Sequence, residues 1–265
     1  MLIYVISDVH GCHSLFLKML KRIHFSCNDK LFLLGDYIDR GTENLEMLKW
    51  LEKVSKTQDN IICLCGNHEI EYISYIEMMK LITKEYVQSE VEYTPEQTKG
   101  LYELTKLHCN DTFDYYQTIH ELIYDKGITY HELLKWSELL RKFDYYKEVI
   151  VGKKKYILVH AGYTDSITGI DMKDHFASIE EFYLYSREDA YEKGGRCDAT
   201  VIAGHSPTMI EKSFTYNAGK VFQCSSLNGK KRFFCIDCGC SYNHNMSQLA
   251  CIRLDDEKVF YVSRK

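Results

Sequence analysis

The sequence predicts an α/β fold, and three observations predict it. Short apolar runs of strand length recur along the 265 residues, amphipathic stretches of helical period lie between them, and the runs end in polar residues of metal-ligand type. The first run, Leu2-Ile3-Tyr4-Val5-Ile6, continues as Ser7-Asp8-Val9-His10-Gly11. Residues two apart in an extended segment face the same side, so Asp8 and His10 can reach one ion. Ser14 is then placed to cap a helix whose apolar face is Phe16, Leu20 and Ile23.

The second run, Leu31-Phe32-Leu33-Leu34, leads into Gly35-Asp36-Tyr37-Ile38-Asp39-Arg40-Gly41. Glycines at both ends of that loop let the backbone take positive φ or approach a ligand closely. A carboxylate at the end of a buried strand needs a partner, and a cation is the natural one. Arg40 adds a planar donor fork suited to an oxyanion such as phosphate. A helix follows from Glu43 to Val54, with Leu45, Leu48 and Leu51 on one stripe. The third run, Ile61-Ile62-Cys63-Leu64-Cys65, ends in Gly66-Asn67-His68-Glu69. Asn67 carries an amide oxygen able to ligate a metal, and His68 is a candidate acid or base near neutral pH.

The strand pattern resumes with Lys155-Tyr156-Ile157-Leu158-Val159 before His160-Ala161-Gly162, and with Ala199-Thr200-Val201-Ile202-Ala203 before Gly204-His205-Ser206-Pro207. Asp8, His10, Asp36, Asn67, His160 and His205 thus form a mixed oxygen and imidazole set, which suits zinc, iron or manganese better than calcium or a thiolate site. Residues 70–150 differ in character and read as a helical insertion. Ile73, Ile76, Met79, Ile82 and Tyr86 make one apolar stripe, Phe113, Tyr116, Ile119 and Ile123 a second, and Leu133, Trp136, Leu140 and Phe143 a third. The tyrosines gathered there read as amphipathic helix faces. The tail from Val221 alternates like sheet, with Asn228-Gly229 as a hairpin turn.

Composition bounds the partners. Lys plus Arg number 33 against 38 Asp plus Glu, and no basic block is present that would hold a nucleic-acid backbone. The first apolar run is broken too early for a signal core or a membrane span, so a cytoplasmic protein with no nucleic-acid or membrane partner is expected. Eleven cysteines, scattered and odd in number, read as reduced packing residues. Cys235, Cys238 and Cys240 lack a second Cys or His pair at finger spacing, so packing accounts for them better than structural zinc. The seven histidines outside the candidate set, His175 among them, read as structural.

Asp8-Val9-His10-Gly11, Gly35-Asp36-Tyr37-Ile38-Asp39-Arg40-Gly41 and Gly66-Asn67-His68-Glu69, in this order and at these intervals, resemble the three N-terminal motifs of the phosphoprotein phosphatase branch of the calcineurin-like metallophosphoesterases. They look most like the bacterial and phage serine/threonine protein phosphatases. His160-Ala161-Gly162 and Gly204-His205-Ser206 look like the family's last two metal-ligand motifs, which more often read His-Gly-Gly and Gly-His-Thr. Ser7 stands where glycine is usual. Tyr185-Ser186-Arg187-Glu188 resembles the segment that supplies a second phosphate-binding arginine, and Asp237-Cys238-Gly239 sits where Asp-Thr-Gly is common.

The resemblance implies one domain over residues 1–265, a central β-sandwich of two mixed sheets flanked by helices, with 70–150 as a helical lobe inserted into it. It also implies two divalent metal ions, manganese first and iron or zinc as alternatives. Asp8, His10 and Asp36 would hold one, Asn67, His160 and His205 the other, with Asp36 bridging. His68, oriented by Asp39, would be the general acid, and Arg40 and Arg187 would clamp phosphate. The implied activity is metal-dependent hydrolysis of a phosphomonoester, in a phosphoprotein or a small phosphoester, by a hydroxide held at the dinuclear centre. A dinucleoside polyphosphate hydrolase of the diadenosine tetraphosphate type, a broad-specificity small-molecule phosphatase and a binding protein that keeps the fold alone are the alternatives. Asp39, where the polyphosphate branch typically has alanine, and Glu69, where it typically has aspartate, favour the phosphomonoesterase.

Overall fold

Side chains that alternate between two buried faces along the central strands build two sheets back to back in this computed structural model, which describes residues 1–86, 92–108, 117–166, 176–192, 194–196, 198–225 and 231–264. The expected turn at Asn228-Gly229, and Phe113, Tyr116 and His175, lie outside those residues. Strand β1 (Ile3–Ile6) sends Ile3 and Val5 to one face and Tyr4 and Ile6 to the other, and β2 (Lys30–Leu33) separates Phe32 from Leu31 and Leu33 in the same way. With β3 (Ile61–Cys63), β9 (Gln248–Arg253) and β10 (Lys258–Ser263) they form a five-stranded sheet ordered β10-β9-β1-β2-β3. The second sheet, also five-stranded, contains β4 (Tyr146–Val151), β5 (Lys154–Val159), β6 (Thr200–Ala203), β7 (Phe222–Ser225) and β8 (Arg232–Cys235), ordered β4-β5-β6-β8-β7. Both sheets are mixed: β1, β2 and β3 run parallel, as do β5, β6 and β8, with antiparallel strands outside them.

The inward faces of the two sheets share one core, in which Val5, Phe32 and Ile252 pack with Tyr156, Leu158, Ile202 and Phe234. Removing side chains of this size from water contributes roughly 1.5–3 kcal/mol each. Helices cover the outward faces. Against the first sheet lie α1 (His13–Arg22), α2 (Asn44–Thr57) and, continuing the same apolar cluster, α3 (Asn67–Tyr86), α4 (Pro95–His108), α5 (Gln117–Tyr124) and α6 (Tyr130–Leu140). Ile73, Ile76, Met79, Ile82, Ile119, Ile123, Leu133, Trp136 and Leu140 are buried at their expected helical spacings. Against the second sheet lie α7 (Ile179–Tyr185) and α8 (Glu188–Glu192), packed through Phe182 and Ala190.

Two local expectations change. Ser14 does not cap α1: Cys12 occupies the N-cap without a side-chain bond, and Ser14 sits in the first turn with its N–H and hydroxyl both given to the Glu43 carboxylate. An acid at a helix N-terminus is favourable to the dipole, so Glu43 takes over the capping role from a different segment. Strand β2 also ends at Leu33, one residue short of the expected run Leu31 to Leu34. The nine described cysteines are free thiols. No helix among the described residues is long and apolar enough to cross a membrane.

Candidate active site

The parallel strands of both sheets end at one rim, and the expected ligands stand just beyond those ends: Asp8 after β1, Asp36 after β2, Asn67 after β3, His160 after β5 and His205 after β6. Nine non-glycine residues among those described have positive φ, and six of them are Asp8, His10, Asp36, Asp39, Arg40 and His205. Each costs of order 1–2 kcal/mol, and such strain gathers where the surroundings hold a side chain for a purpose. The loops can converge because two glycines let them touch. A Cβ on Gly35, at φ +97°, would lie 2.4 Å from the Gly66 nitrogen, and one on Gly41 would lie 2.2 Å from the His10 carbonyl oxygen.

Two buried triplets of metal-ligating type result, His10 with Asp36 and His68, and Asp36 with His160 and His205. Asp36 is common to both and divides its oxygens between them: Oδ2 lies 3.3 Å from His10 Nε2, and Oδ1 lies 3.4 Å from His160 Nε2. That is the disposition a bridging carboxylate needs. Asn67 Oδ1 joins the second group, 2.9 Å from His160 Nε2 and 3.0 Å from His205 Nδ1. Asp8 stands further back, 4.0 Å from His10 Nε2, with its carboxylate accepting the Ser7 hydroxyl and the His205 N–H. His68 enters the first triplet on geometry alone, its Nε2 lying 3.9 Å from Asp36 Oδ2.

The donor chemistry fits divalent cations. His10 Nδ1 lies 2.9 Å from the Ile38 carbonyl and His160 Nδ1 lies 3.0 Å from that of Leu34. A carbonyl can only accept, so these nitrogens carry the protons and both Nε2 lone pairs face the cluster. Burial lowers the pKa of His10 to about 3 and also lowers those of His160 and His205, which keeps the imidazoles neutral and able to ligate. Burial pushes Asp36 up, yet its net shift is downward, with the protonated His68 among the charges that lower it. Asp8 is pushed up by burial and by the charges of Asp237 and Asp36, and Asp237 Oδ2 is buried with no hydrogen-bond partner in the structure. Carboxylates crowded in this way are relieved by positive charge. One cation is already present at the convergence, since the Arg40 guanidinium donates to His10 Nε2 at 2.8 Å and lies 3.2 Å from His68 Nε2.

His68 is oriented by Asp39, whose Oδ2 is 2.7 Å from His68 Nδ1. Burial alone would lower its pKa, but the charge of Asp36 and the bond and charge of Asp39 outweigh it and raise His68 to about 9, a protonated imidazolium at neutral pH. Arg40 packs over the Tyr242 ring at 5.8 Å, and Arg187 reaches the same rim by donating to the His205 carbonyl at 3.2 Å. The structure therefore brings every expected site residue to one rim.

Further residues support the site without carrying a motif signature of that role. Glu69, fully buried, accepts the N–H groups of Asp36, Tyr37 and Gly66. Asn44 and Thr118 hold Asp39. The position of Glu69 beside His68 is a usable signal, because an acid entering a buried helix needs donors. No local pattern marks Thr118, whose contact with Asp39 spans 79 residues of chain.

The sequence profile described as calcineurin-like phosphoesterase matches residues 1–230. Over 94 residues, 35% of this chain, the sequence is 36% identical to a symmetrical bis(5'-nucleosyl)-tetraphosphatase from Wigglesworthia glossinidia brevipalpis, and the match spans about a third (34%) of that relative. A protein of the same name from Nitrosospira multiformis aligns over 98% of this chain and 95% of its own length at 22% identity. Among solved structures, that of a candidate diadenosine tetraphosphatase superposes with a TM-score of 0.55 at 13% identity, over 98% of this chain and 92% of its own. A protein serine/threonine phosphatase from Saccharomyces cerevisiae superposes with a TM-score of 0.53 at 11% identity, over 99% of this chain and 79% of its own. At such identities these two likenesses are of fold alone. The profile match over most of the 265 residues carries the assignment, and the chain belongs to the calcineurin-like phosphoesterase family.

Proposed function

We propose that the chain is a cytoplasmic, metal-dependent phosphomonoester hydrolase of the serine/threonine protein phosphatase type, acting on phosphoproteins or small phosphoesters. The observation that carries this reading is the buried His68–Asp39 pair, 2.7 Å apart, beside Arg40. An alkoxide leaving group must gain a proton as it departs, and an imidazolium oriented by a carboxylate supplies one. A nucleotide leaving through a phosphate oxygen needs no such donor. Asp8, His10 and Asp36 would hold one divalent ion and Asn67, His160 and His205 the other, with Asp36 shared, manganese being the first choice and iron or zinc the next. Such ions supply positive charge at phosphoryl oxygens and lower the pKa of the attacking water. Arg40 and Arg187 bind the non-bridging oxygens and stabilise the charge that builds on them. Residues 1–265 act as one domain in this reading, with the helices of the 70–150 segment, which closes in strand β4, forming a lobe that governs which substrates enter.

The names of the relatives favour a second reading, hydrolysis of a dinucleoside tetraphosphate. A panel of p-nitrophenyl phosphate, a phosphoserine peptide and diadenosine tetraphosphate, each with manganese, separates the two. Preferred turnover of the phosphopeptide supports the first reading. Turnover of the dinucleotide with none of the phosphopeptide overturns it in favour of the second.

A further inference from the structure

Helix α5 reaches back to the catalytic loop through two residues one turn apart. Thr118 Oγ1 accepts the Asp39 N–H at 3.0 Å and its hydroxyl donates to Asp39 Oδ1, while the Thr118 N–H, in the first turn of the helix, points to the same oxygen at 3.3 Å. Glu121 accepts from Asn44 Nδ2 at 2.8 Å, and Asn44 in turn accepts the Asp39 N–H at 2.9 Å and donates to the Gly41 carbonyl at 3.0 Å. Asn44 and Thr118 are buried, as is Asp39. Helix α5 therefore brackets residues 39–41 from both ends. That segment contains the consecutive left-handed residues Asp39, φ 68°, and Arg40, φ 67°.

The division of labour at Asp39 is specific. Its Oδ1 is taken by Thr118, which leaves Oδ2 to face His68 Nδ1 at 2.7 Å. A single hydroxyl both accepts from the Asp39 backbone and donates to its side chain, so it fixes the carboxylate relative to its own main chain. Valine, of nearly the same shape, can do neither. Carboxylates are also favoured at a helix N-terminus, which adds to the hold of α5 on Asp39.

We propose that Thr118 and Glu121 are positioning residues for the proposed reaction: α5 clasps the Asp39–Gly41 loop and so orients His68 for proton donation and Arg40 for phosphate. The helical segment between β3 and β4 then contributes to the chemical step, beyond any part in admitting substrates. This inference rests on the reading of His68 as the general acid, and the test separates the two.

The manganese-loaded protein is assayed on p-nitrophenyl phosphate, whose phenolate leaves readily, and on an alkyl phosphate monoester, whose alkoxide does not. His68→Asn, Thr118→Val, Thr118→Ser and Glu121→Ala are compared with the parent. Thr118→Val should lower kcat on the alkyl ester by about 10- to 100-fold, the worth of a hydrogen bond to a charged group, and on p-nitrophenyl phosphate by much less. Thr118→Ser, which keeps the hydroxyl, should restore the parent ratio of the two rates. Glu121 is half-exposed. Its alanine variant therefore gives a second arm if Thr118→Val does not fold, and it should show the same leaving-group dependence at smaller size. A leaving-group-dependent loss in His68→Asn without one in Thr118→Val or Glu121→Ala overturns the clasp alone. Equal losses on both esters in His68→Asn overturn the acid reading and the clasp with it, as does absence of turnover of either ester by the parent.

Discussion

Glu69 holds Asp36 by the backbone: its Oε2 accepts the Asp36 N–H at 2.7 Å, and its Oε1 accepts that of Tyr37 at 2.9 Å. The Gly66 N–H, 2.9 Å from Oε2, completes the arrangement, so one carboxylate ties the loop after β2 to the loop after β3. Burial and the charge of Asp36 push the Glu69 pKa up, and the backbone N–H groups of Asp36 and Tyr37, which favour the ionised acceptor, pull against that rise. The acid after His68 is thus a structural fastener for the candidate bridging ligand. Its length matters, since it must reach two successive amides at once.

Glu69→Gln should destabilise the protein by about 1–3 kcal/mol, because an amide cannot accept at both ends and one buried N–H loses its partner. Chemical denaturation of the metal-free protein measures this. Unchanged stability would mean that the three contacts are replaceable by solvent.

Asp36→Asn should weaken both metal sites together, since the two oxygens of Asp36 face different histidines. Elemental analysis of protein purified without chelator should approach two metals per chain in the parent, as expected for a centre of this kind, and fall at both sites in the variant. Loss of a single ion would show that the carboxylate is not shared. Chelation should abolish activity, and manganese should restore it.

Arg40→Ala and Arg187→Ala should each fold and each lower kcat/KM, by roughly 10²–10³ if the lost donor acts on transition-state charge. Inhibition by inorganic phosphate is the direct probe of the clamp and should weaken in both variants. Undiminished inhibition in Arg187→Ala would leave that arginine as a brace for the loop after β6, through the His205 carbonyl and the Ser206 hydroxyl.

Acid stability should depend on Glu257, which meets Arg232 bidentately at 3.0 and 2.8 Å and also accepts from Lys154 and Tyr156. The Arg232 hydrogen bonds, with those of Lys154 and Tyr156, lower its pKa in the fold from 4.5 to about 2. Between those values the unfolded chain binds the extra proton, so stability rises with pH there. The contribution is complete above the unfolded value and is lost as pH falls through about 2. Glu257→Gln should therefore lie below the parent in thermal midpoint at neutral pH, by roughly 2–4 °C, and converge with it near the acid end. A constant gap across the acid range would point to packing in place of charge.

Much of the architecture and nearly all of the candidate ligands are legible in the chain because their signals are local. A run such as Leu2 to Ile6 alternates between two faces, and that alternation alone requires a sheet covered on both sides. Asp8, Asp36, Asn67, His160 and His205 each follow such a run, so their arrival at strand ends needs no knowledge of the rest of the fold. The failures are of another kind. Ser14 looks like a cap by residue type, but Glu43 reaches α1 from a separate loop and takes its place.

What only the tertiary structure decides is which groups share a partner. Parallel register and the packing of two sheets put His10 on one oxygen of Asp36 and His160 on the other, at a sequence separation of 124 between Asp36 and His160. The hold of Thr118 on Asp39 likewise depends on how α5 docks beside α2, and that docking comes from the shared apolar cluster. Local pattern encodes dihedral preference and the face to be buried. Hydrogen-bond partnership between distant side chains depends on where buried faces come to rest against one another, a property of the assembled core.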